Sequence, residues 1–416
     1  MTAKEFLKKH NQSAESIEVK SRIDDFIYKM GLGLKGAGGM PMIPTYLMDV
    51  NRSLIKYNDR RVLIDAGGTN FRVATGYFDG NGKVVIENLE KSKMPASDGT
   101  YIGKEEFYDT IAERIKGHLS GATNIGFCFS YQVNMGADVD GEVVMFSKEV
   151  NAPEVIGTKV GYETLSACKK FDNAERKIVI LNDTVATLLG GMANSDKQYS
   201  AYLGYIYGTG TNVCYIENTA NIVKVKNLPD GNMLINTECG NYDGFSEGDF
   251  DKTCIGRTAV PDKQLFEKMT SGKYLADIIY EALKTAVKEN CFTDEVILAP
   301  FELKDVSEFL NNGGFCCKFN NNADENFAKD VCRELIDRAA KMGAIVNSAL
   351  AVASCSNKSL PVAIVAEGTT FNRLTGYRNR FEHYLTEILS EYGIDYEIVQ
   401  GEDLNLVGTL MATMVL

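Results

Sequence analysis

Two segments of this chain are written to one plan, so its fold has to build the same strand, turn and returning strand twice. The first is Leu63-Ile64-Asp65-Ala66-Gly67-Gly68-Thr69-Asn70-Phe71-Arg72-Val73, and the second is Ile206-Tyr207-Gly208-Thr209-Gly210-Thr211-Asn212-Val213-Cys214. A Gly-Thr-Asn core lies between apolar runs in each. Glycine lets backbone N–H groups close on an anion that any side chain would hold off. Two such turns, one in each half, fit a polyphosphate clasped from both sides, and Asn182-Asp183-Thr184 between them offers a catalytic carboxylate.

The bulk numbers exclude several classes. A chain of 416 residues, 44% hydrophobic, has length for two or three soluble domains. Its net charge of −12 argues against nucleic acid or an anionic membrane as partner, since both need a basic surface. Residues 1–10 mix Lys4, Glu5, Lys8 and Lys9 with few apolar side chains, and no apolar run is long enough to span a bilayer, so a cytoplasmic protein is expected. The ten cysteines sit in apolar contexts without a C-x-x-C pair, and His10, His118 and His383 are the only histidines. Protein-caged zinc and histidine-based catalysis are therefore not expected. The vicinal Cys316-Cys317 reads as packing.

Hydrophobic periodicity predicts an outer helix over 3–30, then a glycine-rich linker over 31–39. The G-x-G-x-x-G at Gly31, Gly33 and Gly36 follows a helical pattern, where a dinucleotide site needs a strand before it and a helix after. Strands are expected at 62–65, 72–78 and 83–89, the last two joined by Asp79-Gly80-Asn81-Gly82, then a helix at 105–119 and strands at 124–130 and 177–181. Strands at 201–207, 212–217, 222–225 and 233–236 restart the programme, which duplication explains. Helices follow at 263–288, bent near Ser271-Gly272, at 324–353 and at 378–391, with a buried strand at 361–366 and a last core helix at 404–416. The inferred architecture is α/β, two mixed-sheet domains facing across a cleft.

Phosphoryl transfer needs anion cradles, a divalent cation, a base for the attacking hydroxyl and exclusion of water. Asp65 opens the first loop, where a carboxylate can hold Mg²⁺ through its water shell. Gly67, Gly68, Thr69 and Asn70 offer backbone and hydroxyl donors, and Arg72 a cation. No G-x-x-x-x-G-K-[ST] is present, which removes a P-loop as the nucleotide site. Asp183 follows the apolar run Ile178-Val179-Ile180-Leu181, so it emerges at a strand's carboxyl end, although a helix N-cap is an equal reading. Ser130, Ser147, Lys148, Asn212, Glu238 and Glu267 add the polar groups a polyhydroxyl ligand needs.

In order along the chain, these residues resemble the eukaryotic-type hexokinases and glucokinases of the actin-like ATPase superfamily. Leu63 to Val73 resembles the first phosphate signature and Tyr205 to Glu217 the second. Ile125-Gly126-Phe127-Cys128-Phe129-Ser130 through Ser147-Lys148 resembles the sugar loop, and Leu181-Asn182-Asp183-Thr184-Val185 the catalytic turn. Ile235-Asn236-Thr237-Glu238 and Lys263-Gln264-Leu265-Phe266-Glu267-Lys268-Met269 resemble further sugar contacts, and Pro41-Met42-Ile43-Pro44-Thr45-Tyr46 the segment leading into the fold.

The resemblance implies two actin-like (ribonuclease H-like) domains with mixed sheets flanking a cleft. Residues 1–58 would be an N-terminal helix and linker packing on the large domain, 59–188 the small domain, completed by about 402–416, and 189–401 the large domain. It implies ATP, with Mg²⁺ held by Asp65 through water, and a hexose, glucose foremost, phosphorylated on its 6-hydroxyl with Asp183 as base. Lys148 would hold the reacting end of the sugar. Ser130, Ser147, Asn182, Asn212, Glu238 and Glu267 would bind its hydroxyls. Thr209 and Gly210 would meet the phosphates opposite Gly68, Thr69 and Asn70, and Gly368-Thr369 would lie near adenosine. A non-catalytic sugar sensor, or a kinase of mannose, fructose or an N-acetylhexosamine, are the alternatives.

The chain departs from the family pattern in places. Gln132 stands for a proline, Phe146 for a tryptophan, and Glu149-Val150 for Gly-Phe. Glu367 replaces an aspartate, and Glu402-Asp403-Leu404-Asn405-Leu406-Val407-Gly408 stands where a small Gly-Ser-Gly turn is usual.

Overall fold

The computed structural model describes residues 1–68, 70–146, 150–312 and 317–416. Its strands are β1 (Ile43–Met48), β2 (Arg61–Gly67), β3 (Asn70–Phe78), β4 (Val84–Lys93), β5 (Asn124–Phe129), β6 (Gln132–Met135) and β7 (Gly141–Met145). They continue with β8 (Ile178–Leu181), β9 (Ala201–Tyr207), β10 (Thr211–Asn218), β11 (Asn232–Asn236), β12 (Val362–Glu367) and β13 (Tyr396–Val399). One sheet has the order β4-β3-β2-β5-β8, another β1-β11-β10-β9-β12-β13, and β6 pairs with β7. Leaving out β1, both run third, second, first, fourth, fifth strand. That shared order is the structural counterpart of the repeated sequence.

Contacts divide the chain into two units, one of Met1–Met42, Tyr205–Val213 and Thr237–Glu397, the other of Ile43–Gly204, Cys214–Asn236 and Ile398–Leu416. In the second unit β2 runs antiparallel to β3 and parallel to β5, which is parallel to β8. Alternation along β2 sends Val62 and Ile64 to one core, with Phe107, Ile111 and Ile115 of the helix Lys104–Leu119. Leu63 goes to the other, with Val185 and Leu189 of Asp183–Asn194 and Leu406 and Leu410 of Leu404–Ala412. A sheet covered on both faces needs apolar central strands, and residues 61–66 are all buried. The last two helices meet where side chains are absent: a Cβ on Gly408 would lie 1.8 Å from the Ala186 carbonyl oxygen.

The first unit is organised by the helix Asn322–Ser354, 33 residues long. The helices Ala3–Lys9, Val19–Lys35, Gly272–Lys288 and Tyr377–Glu391 pack on it. Arg338 on that helix is buried against Asp251, Nη2 to Oδ2 at 2.7 Å.

Four expectations change. The outer helix expected over 3–30 is two, Ala3–Lys9 and Val19–Lys35, interrupted by the 3-10 segment Ala14–Ser16 between extended residues Ser13 and Ile17. The linker expected over 31–39 is helical up to Lys35, because Gly33 lets the chain pass against Met40, whose carbonyl oxygen would lie 2.1 Å from a Cβ there. The strand expected at 222–225 is a turn after the 3-10 segment Thr219–Asn221; Ile222 is buried but Val223 is 61% exposed, so no sheet face is being filled. The helix expected over 263–288 is two, Leu265–Thr270 and Gly272–Lys288, broken by Ser271 in an extended conformation (ψ 159°).

Candidate active site

In the second unit the first glycine turn closes the β2–β3 hairpin, with Gly67 opposite Asn70. Gly68 takes a φ of 61°, the left-handed region a tight turn needs, and its carbonyl accepts the Tyr131 hydroxyl at 2.5 Å. Ser130 donates its N–H to the Ala66 carbonyl at 3.0 Å, and a Cβ on Gly67 would face Ser130 Oγ at 3.4 Å. The strand β8 delivers Asp183 to the first position of its helix. Asn182 is the N-cap and accepts from Thr184 N–H at 3.0 Å, while Asp183 Oδ1 accepts from the same N–H at 2.8 Å. Both readings of this turn hold together: Asn182 caps, and the Asp183 carboxylate lines a cavity of about 420 Å³ with Asp65, Gly67, Asn70, Arg72, Ser130 and Asn405.

Charge in this cavity is tightly paired. Arg72 Nε donates to Asp65 Oδ2 at 2.9 Å, Nη2 donates to the same oxygen, and Nη1 donates to Asp403 Oδ1 at 2.7 Å. Burial opposes the guanidinium's charge, but Asp65 and Asp403 more than offset it and hold Arg72 above its ordinary range. Beneath lies Cys128, opposite Asp65 in the β2–β5 register. Burial first, then the Asp65 and Asp183 charges, push its thiol well above the ordinary range, so it remains neutral.

In the first unit the turn between β9 and β10 is closed by Gly208 N–H to the Gly210 carbonyl at 2.9 Å. The Gly208 carbonyl accepts the Thr370 hydroxyl at 2.9 Å and the Gly272 N–H at 2.9 Å, and the Thr209 carbonyl accepts the Lys273 N–H at 3.2 Å. Gly368 (φ 125°) comes so close that a Cβ would lie 2.3 Å from the Tyr207 carbonyl oxygen. This brings Gly368-Thr369 beside the loop. Glu267 Oε2 accepts the Thr211 N–H at 3.0 Å, and a Cβ on Gly210 would meet that oxygen at 2.6 Å. Asn212 Nδ2 donates to Glu238 Oε1 at 3.2 Å. Thr209, Gly210, Asn212, Glu238, Glu267, Gly368 and Thr369 thus converge around one turn.

Thr69, Ser147 and Lys148 lie outside the described residues, as does Cys316. The loop anchors Thr370 and Gly272 were not foreseen. The signal available for Thr370 was its place directly after Gly368-Thr369. In the sequence Asp403 and Asn405 stand only as departures from the family pattern, yet one binds Arg72 and the other lines the cavity. The departing Phe146 packs in an aromatic cluster, its ring centroid 5.1 Å from Tyr131 and 5.8 Å from Phe107, and Gln132 opens β6. Among the described residues no group of three or more His, Cys, Asp or Glu forms a metal cage, and no helix is long and apolar enough to cross a membrane.

Two family models, both described as hexokinase, match residues 2–193 and 202–415. This chain belongs to the hexokinase family. Hexokinase-1 of Schizosaccharomyces pombe is 27% identical over 95% of this chain and 87% of its own length. The chloroplastic Hexokinase-4 of Oryza sativa subsp. japonica is 32% identical over 61% of this chain and 52% of its own length. A solved hexokinase from Schistosoma mansoni, complexed with glucose, superposes with a TM-score of 0.80 over the whole of both chains at 20% identity, a likeness of fold. The repeated strand order is therefore that of the two-domain actin-like fold. Membership makes the chain a hexokinase phosphotransferase that acts on a sugar with ATP.

Proposed function

We propose that this hexokinase transfers the γ-phosphoryl group of ATP to the 6-hydroxyl of a hexose, glucose first among acceptors, with Asp183 as general base. The observation that carries the reading is the Asp183 carboxylate at a strand's carboxyl end, lining one cavity with Asp65, Gly67 and Ser130. As the hydroxyl oxygen attacks the γ-phosphorus, its proton passes to Asp183 and the bond from phosphorus to the ADP oxygen breaks. Gly67, Gly68, Thr69, Asn70 and Arg72 would bind the phosphates, as would Thr209 and Gly210, with Gly368 and Thr369 beside the adenosine. Ser130, Asn182, Asn212, Glu238 and Glu267 would bind sugar hydroxyls, with Ser147 and Lys148 completing the set. The Asn212–Glu238 pair is held in advance of the ligand, which favours a site that rejects analogues lacking a hydroxyl.

Mg²⁺ fits the donor set, since Asp65, Asp183, Ser130 and Asn405 offer hard oxygens and magnesium takes few protein ligands. Arg72 already occupies Asp65 Oδ2, which favours contact through water. When bound, the ion neutralises charge on the transferring phosphate. The nine described cysteines are free thiols, which supports a reducing compartment such as the cytoplasm.

An ADP-release assay with ATP, Mg²⁺ and a panel of glucose, mannose, fructose and N-acetylglucosamine tests the reading. Glucose is expected to give the highest kcat/KM. Another hexose ahead of it would change the acceptor, and glucose binding without ADP release would make the protein a sensor.

A further inference from the structure

Asp403 occupies the N-cap of the helix Leu404–Ala412 but makes no side-chain capping bond, and its backbone is left-handed (φ 48°) where N-cap residues are usually extended. Its carboxylate is turned to Arg72, 2.7 Å from Nη1, while the other donors of the fork go to Asp65. One cation therefore faces two anions beside the cavity that holds Asp183. The two differ in exposure. The Asp65 side chain is 7% exposed and fixed under the loop, whereas that of Asp403 is 39% exposed and can turn to solvent. The three charges sum to −1 in the place where a polyanion is to bind.

Resting on the reading that Arg72 meets the donor's phosphates, we infer that Asp403 is an internal competitor of the phosphoryl donor. Its carboxylate stands in for a phosphate oxygen on Arg72 Nη1, and the donor displaces it on binding. Such competition weakens the ground state and the transition state alike, so it raises KM for ATP and leaves kcat unchanged. The capping position, left without its usual bond, has been given over to setting donor affinity.

Asp403→Asn removes the charge, keeps an oxygen facing Nη1 and tolerates the left-handed backbone. Asp403→Gly suits that backbone still better and removes the group altogether. Both are expected to lower KM for ATP about three- to fivefold, the scale of one partly exposed charge pair. KM for the hexose, kcat and Tm should hold, and the gap from the parent protein should shrink as salt screens the charge. Arg72→Gln separates the layers. It should raise KM for ATP and abolish the effect of Asp403→Asn when combined with it. If Arg72→Gln leaves KM for ATP unchanged, the reading of Arg72 as a phosphate contact fails. If Arg72→Gln raises it but neither Asp403 variant lowers it, Asp403 is no competitor and the inference is overturned.

Discussion

Glu267 accepts the backbone N–H of Thr211 at 3.0 Å, so a side chain carried by one short helix fixes the start of β10 directly after the second glycine turn. One carboxylate thus ties a proposed sugar contact to a proposed phosphate loop. Glu267→Gln keeps an oxygen for Thr211 but removes the charge, and should raise KM for the hexose about tenfold while KM for ATP stays near the parent value. Glu267→Ala removes the anchor and should raise both. Steady-state kinetics with each substrate varied in turn will distinguish the two variants, and equal effects of Gln and Ala on ATP would contradict the link.

Gly368 supplies a second test. With φ at 125° and only 2.3 Å between a Cβ and the Tyr207 carbonyl oxygen, Gly368→Ala has to push β12 away from the end of β9. A loss of about 1–3 kcal/mol in unfolding free energy is expected, together with a higher KM for ATP. Chemical denaturation and the same kinetic assay measure the two effects, and an alanine variant with unchanged stability would show that the neighbouring backbone yields freely.

Much of this was legible in the sequence because local signals agreed with tertiary need. The apolar run of β8 and the Asn182-Asp183-Thr184 turn stand as read, and so does the duplicated strand, turn and returning strand. What the sequence did not show depended on contacts outside the local pattern. Gly33 looks like a linker glycine until Met40 is placed against it. Arg72 reads as a cation awaiting phosphate, but Asp403, more than three hundred residues away, is already on it. Nothing local to residue 72 carries that information.

His118 gives stability a pH dependence. It is 4% exposed on the helix Lys104–Leu119, with Nδ1 3.0 Å from the Thr75 hydroxyl and Nε2 3.6 Å from Glu90. Burial lowers its pKa, and Glu90 opposes this only partly. The unfolded chain, with an ordinary histidine pKa of about 6.5, then binds the proton more tightly than the folded one. The contribution is fully present above about pH 6.5 and is lost as pH falls from there through the lowered folded value. Tm measured from pH 7.5 to 5 should fall less in His118→Gln than in the parent protein; parallel curves would remove His118 as the cause.

The base is the centre of the account, and Asp183→Ala probes it most directly. Asp183 acts on the proton of the attacking hydroxyl, so its loss should cut kcat by about 10²–10⁴ while hexose affinity, followed by calorimetry on the same preparation, stays within a few-fold of the parent. Turnover within tenfold of the parent protein, with sugar binding intact, would contradict it.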